Sequence, residues 1–276
     1  MGEGSGPDEG VWVARVGAEP VGFGVLTLFR RENTDTATMR GAVDPAYQGR
    51  GIGRALLGEL AAATDRPRLR ARAWVGTAGE RALPRLGFKT GQTHVVRRLD
   101  LDRQHDDWAR LRREAQAEGY EFSRYRGPTP PELLDAMVVL REAVNDAPDD
   151  GDFEAYPPER ITAYESALAA RRQTQYTVLA RHRASGEPAG ISFVCVDEFA
   201  PSIAFQEDTS VVRAHRGHRL GLRLKLEMAD WLRAERPEVV ATDTWNARSN
   251  HHMIAVNERL GLRVVAENTA FHRKRY

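Results

Sequence analysis

Residues 48–57 read QGRGIGRALL, three glycines within five residues running into a leucine-rich segment. Glycine lets a backbone approach a bound group closely. The first turn of a helix carries unpaired N–H donors and the positive end of the dipole, so a glycine loop that opens a helix suits a phosphate. Three loops of this kind compete. The P-loop fails because no lysine follows these glycines. The dinucleotide fingerprint G-x-G-x-x-G fails too, since its last position is Arg54 counted from Gly49 and Leu56 counted from Gly51. What remains is [QR]-x-x-G-x-[GA] between a strand and a helix, met by Gln48, Gly51 and Gly53.

A blurred copy, RGHRLGLRLK, occupies residues 216–225, with Arg216 and Gly221 in pattern and Arg219 in the middle glycine's place. The neighbourhood repeats as well. EPVG at 19–22 returns as EPAG at 187–190, with the same offset of 168 that separates the loops. RLGF at 85–88 returns as RLGL at 259–262, offset by 174. Such repeats set the architecture. In the first copy the period and turn residues predict strands over 11–16, 21–29 and 36–43. The loop, a helix from 54 to about 64, a strand over 69–75, a short helix over 78–86 and a strand over 93–99 follow. The second copy keeps this order: strands 176–182, 189–196 and 203–212, a helix 220–234, a strand 239–244, a helix 249–260 and a strand near Ala270. It adds two front helices which the first copy lacks, 131–145 with Leu133, Met137, Leu140 and Val144 on one face, and 158–170 with Ile161, Tyr164 and Leu168 aligned. Residues 102–118 are highly charged and read as a connecting helix. The expected layout is a disordered lead-in over 1–10, a first domain over 11–100, a connector over 101–119 and a second domain over 120–276.

Composition narrows the function classes. The chain of 276 residues is 41% hydrophobic and 29% charged, with a net charge of +1, which exerts no global pull toward nucleic acid or an anionic membrane. No apolar run approaches a membrane span, and the first ten residues lack a signal-peptide core. The single cysteine, Cys195, cannot form an internal disulfide, so a cytoplasmic setting is expected. In the apolar run ISFVCV it reads as a small buried hydrophobe rather than a nucleophile. His251 and His252 are adjacent and splay apart on a helix. His215 and His218 lack a completing ligand set, so no metal is expected. Trp74 reads as core, and Trp245 as core or ligand contact.

On these residues the chain resembles the GNAT superfamily of N-acyltransferases. VDPAYQGRGIGRALL is similar to that family's acyl-CoA pyrophosphate loop, and NARSNHHMIAVNERLGL and GERALPRLGF to its later helix ending in leucine, glycine and an aromatic residue. The two-copy layout is similar to that of the mycothiol synthases. The resemblance implies an α/β (α+β) protein of two tandem folds, each a mixed, mostly antiparallel twisted sheet flanked by helices. It implies acyl-CoA, most simply acetyl-CoA, as co-substrate, and an amine-bearing small molecule or peptide as acceptor. The pyrophosphate would lie on Gln48, Gly49, Arg50, Gly51, Ile52, Gly53 and Arg54, and on Arg216, Gly217, His218, Arg219, Leu220, Gly221 and Leu222. Arg54, Arg219 and Arg223 would add charge. Strand ends at Val43, and at Val211 and Val212, would face the pantetheine, and a strand N–H would polarise the thioester. Asn246 and Asn250 would bond the CoA arm.

An amine with a pKa near 10.4 costs about 4–5 kcal/mol to neutralise at pH 7, so a base is needed. Glu207 and Asp208 are the second copy's candidates. Strand alternation aims them at opposite faces, and Glu207 is preferred. The first copy has Thr38, Met39 and Arg40 there. The family's tyrosine that protonates the leaving thiolate is replaced by Leu83, which cannot donate, and by Asn257. Asn257 hydrogen-bonds but is no useful acid, and it completes the candidate catalytic set with Glu207 and Asp208. The front helices shape the acceptor site in this family, so catalysis is expected in the second domain. Asp146, Asp149, Asp150, Asp152 and Glu154 between them would attract a cationic acceptor such as a polyamine or a peptide amino terminus; a merely solvated loop is the other reading. A non-catalytic acyl-CoA sensor stays open because both tyrosines are missing. A nucleic-acid module built on Arg213, Arg216, Arg219, Arg223 and Lys225 lacks interleaved aromatics.

Overall fold

The computed structural model describes residues 8–30, 33–146 and 155–275. Its elements run β1 (Asp8–Val16), β2 (Glu19–Leu28), β3 (Thr36–Val43), α1 (Ile52–Ala62), β4 (Arg68–Trp74), α2 (Ala78–Arg85), β5 (Lys89–Asp100), α3 (Trp108–Glu114) and β6 (Tyr120–Arg126). They continue α4 (Leu134–Glu142), α5 (Pro158–Ala170), β7 (Gln173–His182), β8 (Pro188–Asp197), β9 (Ile203–Val211), α6 (Leu220–Glu235), β10 (Ala241–Ala247), α7 (His251–Arg259) and β11 (Arg263–Lys274). Contacts divide the chain into two compact units. One takes in the chain up to residue 94 and again from 266; the other is residues 95–265.

In the first unit β1, β2 and β3 are antiparallel neighbours. β3 and β4 run parallel, but only over Thr36–Met39 against Arg68–Ala71. The rest of β3, from Arg40 to Val43, pairs with β2 alone, so a gap opens beside it. β4 is completed on its other side by residues 268–274 of β11, antiparallel. One face carries the core, where Leu26, Met39 and Leu69 from the sheet meet Leu60 of α1 and Leu83 of α2. On the opposite face Val13 and Phe23, directly paired across β1 and β2, are exposed.

The second unit repeats this plan, and there its own front helices cover the equivalent face. β6 to β9 are antiparallel neighbours, and β9 runs parallel to β10 over Ile203–Gln206 against Ala241–Thr244 before the two part. Residues 95–100 of β5 lie on the far side of β10. α6 packs on one face, burying Leu224, Trp231 and Leu232 with Tyr176, Val194 and Ala204. α4 and α5 pack on the other, burying Leu179 and Ile191 with Met137, Leu140 and Ile161. Leu179 pairs with Ile191 as Val13 pairs with Phe23; the front helices account for the difference in exposure.

Several expectations need correction. The lead-in does not reach residue 10, since β1 begins at Asp8, where Arg30 Nε donates to Asp8 at 2.9 Å. The connecting helix shrinks to the seven residues of α3. His105, 2.7 Å from the Asp100 carbonyl and stacked on Trp108, holds the preceding chain in a turn. Trp74 is 44% exposed, because the two-residue period of β4 turns Leu69, Ala71 and Ala73 inward and Trp74 outward. Asp149, Asp150, Asp152 and Glu154 lie outside the described residues, as does the side chain of Asp146.

Candidate functional site

Both glycine loops join a strand flanking a gap to a helix N-terminus. Gly49 (φ 77°) and Gly51 (φ 84°) take left-handed backbone in the first, and Gly217 (φ 86°) does so in the second. The first helical bonds, Ala55 N–H to Gly51 O at 3.0 Å and Arg223 N–H to Arg219 O at 3.1 Å, leave the N–H groups of Ile52, Gly53 and Arg54, and of Leu220, Gly221 and Leu222, without helical acceptors. These donors suit a pyrophosphate. The side chains of Leu220 and Leu222 are buried, so those residues offer backbone only.

The first residue of each pattern acts as a brace. Gln48 Nε2 donates to Val43 O at 2.9 Å, and Arg216 Nε donates to Val211 O at 3.0 Å, five residues back in both cases. Arg50 folds back on Ala46 O and over Tyr47. His218 lies against Tyr120.

The loops differ in free charge. Arg219, the residue in the glycine position, is forced into left-handed backbone (φ 58°), and its guanidinium donates to Glu114 O at 3.0 Å and pairs with the Glu114 carboxylate. Arg223 pairs with Glu227 at 2.5 Å. Neither aims an uncommitted cation at a pyrophosphate, unlike Arg54, which makes no ion pair among the described residues. Arg219→Gly relieves about 1–2 kcal/mol of left-handed strain. It loses an exposed ion pair worth about 0–1 kcal/mol and gives the unfolded chain about 0.4–1 kcal/mol of extra freedom. These terms offset, so a thermal melt should move by less than about 3 °C; a larger drop would mean that the Glu114 contact outweighs the strain.

The carboxylate pair sits on a β-bulge. Val194 pairs with Gln206 and Ser192 with Thr209, leaving Phe193 alone opposite Glu207 and Asp208. Such a bulge breaks the alternation of side chains. Both carboxylates therefore approach α4 and α5, and the expectation that they point to opposite faces does not hold. Asp208 lies 3.3 Å from Arg141 Nε of α4. Glu207 interacts with Tyr164 of α5, with Cys195 and with Asp208. Gln206 pins the bulge from below, with Nε2 donating to Phe193 O at 2.7 Å and to Asp208 O and Ser192 Oγ at 3.2 Å. The first copy has no bulge here, as β2 and β3 pair without interruption from Gly22–Val43 to Leu28–Ala37.

Glu207 is exposed by its surface area, although protein atoms gather around its carboxyl. Burial raises its carboxyl above the ordinary range, the Asp208 carboxylate raises it further, and Arg141 draws it back. Tyr164 is raised by burial and then by Cys195 and Glu207, and stays a protonated phenol. Burial pushes Cys195 up to about 12, which rules out a thiolate nucleophile there.

Beside the bulge a cavity of about 210 Å³ opens between α4, α5 and the sheet, lined by Arg141, Tyr156, Arg160, Tyr164, Glu165, Gln175 and Phe193 among others. The sequence signal for Tyr164 was its place in the α5 stripe with Ile161 and Leu168; nothing local marked Arg141.

Asn246, Asn250 and Asn257 each hydrogen-bond within the fold. Asn250 Oδ1 caps α7 by accepting from Met253 N at 3.1 Å. Asn257 is fully buried and donates to Asn246 Oδ1 at 2.7 Å, tying α7 to β10. Burial keeps Asn257 from touching a thiolate, which corrects its place in the catalytic set. Among the described residues no cluster of three or more His, Cys, Asp or Glu side chains could hold a metal ion, and no helix is long and apolar enough to cross a membrane.

Residues 7–90 match the model of the acetyltransferase (GNAT) domain. No curated protein matches the chain. Among solved structures, a tandem GNAT protein from the clavulanic acid biosynthesis pathway is 28% identical at a TM-score of 0.81, with 97% of this chain and 83% of that chain covered. A GCN5-related N-acetyltransferase from Sphaerobacter thermophilus is 15% identical at 0.66, with 94% and 78% covered. One from Kribbella flavida is 16% identical at 0.56, with 92% and 87% covered. The last two bear on the fold alone.

Proposed function

We propose that this chain, a member of the GNAT superfamily with two GNAT folds in tandem, transfers acetyl from acetyl-CoA to a primary amine of a small molecule or peptide, and does so in its C-terminal domain. The observation that carries this reading is the bulge. Among the described residues the second copy alone sets two carboxylates on a bulge, opposite Phe193, which also lines the cavity between α4 and α5.

The acceptor ammonium gives its proton to Glu207, directly or through water. The raised pKa makes Glu207 a stronger base than an ordinary carboxylate. Asp208, paired with Arg141, lies beside it and raises the Glu207 carboxyl further, which favours the proton's arrival. The neutral nitrogen attacks the thioester carbon, and N–H groups of β9 facing the gap stabilise the oxyanion. The C–S bond then breaks as the nitrogen gives its second proton to water, leaving the amide and CoA thiolate. A thiol with a pKa near 8.5 leaves without a dedicated acid at about neutral pH, so the loss of the tyrosine at Leu83 and Asn257 is tolerable, and water supplies the proton. The first copy, with its open loop and no carboxylate on β3, binds acyl-CoA without turning it over.

Screening amines for acetyl-CoA-dependent thiol release, with mass spectrometry of the product, tests the activity. No transfer to any amine would favour a non-catalytic acyl-CoA sensor, the reading that the two absent tyrosines support. Gln206→Leu is expected to lower kcat about 10- to 100-fold by letting the bulge shift. The KM for acetyl-CoA should hold, and the acid limb of the pH–rate profile should move. An unchanged limb would leave Gln206 a purely structural residue.

A further inference from the structure

We propose that Lys225 of α6 is the counter-cation of the CoA thiolate in the second copy, holding the charge of the departing sulfur at the foot of the gap between β9 and β10. The inference rests on the reading of acyl transfer in the C-terminal domain and deepens it, since it says how a site without the family's tyrosine carries that charge. Lys225 is 6% exposed and makes no hydrogen bond or ion pair among the described residues. An ammonium only donates, and burying one unpaired is costly enough that lysines are almost never found so. Burial alone pulls Lys225 down to about 8, so the group is still mostly charged at neutral pH. It lines a cavity of about 10 Å³ with Gln206 of β9 and Thr242 and Thr244 of β10. Such a space holds one water at most, too little to hydrate an ammonium. No carboxylate lines it, and Asp243, between the two threonines, gives both oxygens to Arg98.

The place of this cation points to its partner. Gln206 and Thr244 form the last register pair of the two parallel strands before they part, so the cavity lies at the foot of the gap. It lies on the α6 face of the sheet, where Ala204 packs with Leu224 and Leu232, whereas Glu207 and Asp208 approach the helices of the other face. The loop whose N–H groups suit the pyrophosphate opens α6 itself. Helical side chains lean toward the helix N-terminus, so Lys225 leans toward that loop. The CoA arm therefore enters the gap from the side of Lys225, and the amine enters from the side of Glu207. When the C–S bond breaks, its electron pair goes to the sulfur. A fixed cation in a water-poor site stabilises that charge more than bulk water does. Lys225 keeps its proton, and water supplies the one that makes the thiol.

Lys225→Met tests this, because it keeps the length of the side chain and removes the charge. The thiol of bound CoA can be titrated by the ultraviolet absorbance of its thiolate, in the Gly51→Val background where the second loop alone holds CoA. Its pKa should be about 7.5 or below with Lys225 in place and near 8.5 in Lys225→Met. The kcat for acetyl transfer should fall at least about 10-fold in the variant, while the KM for acetyl-CoA, whose thioester is uncharged, holds. Without CoA, Lys225→Met should melt higher than wild type at pH 7, since an unpaired buried charge is gone. That difference should shrink as pH rises from about 8, the folded pKa, to 10.5, the ordinary one, where the lysine is neutral in both states. A bound thiol that titrates alike in the two proteins, an unchanged kcat, or a variant that melts lower would overturn the inference. Failure of the underlying reading looks different: no transfer to any amine, with the thiol titration still telling the two proteins apart.

Discussion

Glu207→Gln is expected to lower kcat/KM for acetyl transfer about 10²- to 10⁴-fold, the range that a positioned general base supplies, while acetyl-CoA still binds. Gln keeps the shape and loses the proton acceptor. The wild-type pH–rate profile should fall on the acid side through a pKa above the ordinary carboxylate range, because Glu207 must be ionised to work and its crowded site resists ionisation. The variant should lack that limb. The same group predicts a stability change of opposite sign. A carboxyl whose pKa is higher folded than unfolded holds its proton more tightly in the fold. Stability then falls as pH rises from the unfolded to the folded value, and the deficit persists above it. Glu207→Gln removes that titration, so the variant should melt higher than wild type at pH 8 and alike at pH 3. Thermal melts across pH would show it, and a variant that melts lower at pH 8 would mean that the charged form is welcome in the fold.

The second large effect separates the two loops. Gly217 holds φ at 86°, where a β-branched side chain is strained. Gly217→Val should reshape the second loop and turn its N–H groups from the pyrophosphate. Losing two charge-assisted hydrogen bonds, at about 1.5–3 kcal/mol each, raises the KM for acetyl-CoA at least about 100-fold. Gly51→Val acts on the first loop, at φ 84° with open space around it. Titration calorimetry should show its acyl-CoA stoichiometry falling from two sites to one while transfer continues. Transfer lost in Gly51→Val and kept in Gly217→Val would move the chemistry to the first copy.

Local features were legible in the sequence because their physics is local. Glycines at 49, 51 and 217 marked the two loops, and the left-handed backbone found there is one that glycine permits. The stripe of Ile161, Tyr164 and Leu168 gave α5 its observed limits, Pro158–Ala170. The two carboxylates were in view as well, but their common side was not. A bulge is one extra residue in a pairing, and nothing in QEDTS says that Phe193 will face two partners. Arg141 was hidden for a related reason. It lies on a helix read by its apolar stripe, and its partner Asp208 is far along the chain. The charges of Arg219 and Arg223 were visible, whereas their neutralisation by Glu114 and Glu227 was a matter of packing.

By itself the sequence determined two copies of one element order, the loop in each and the front helices of the second, since repeats, periods and glycines act over a few neighbouring residues. Only the tertiary structure decided which strands complete each unit. Residues 266–276, the end of the second copy, belong to the first unit, and residues 95–100, the end of the first copy, belong to the second. Strands are joined by backbone N–H and C=O groups that every residue carries, so the choice of partner leaves no local mark in the side chains.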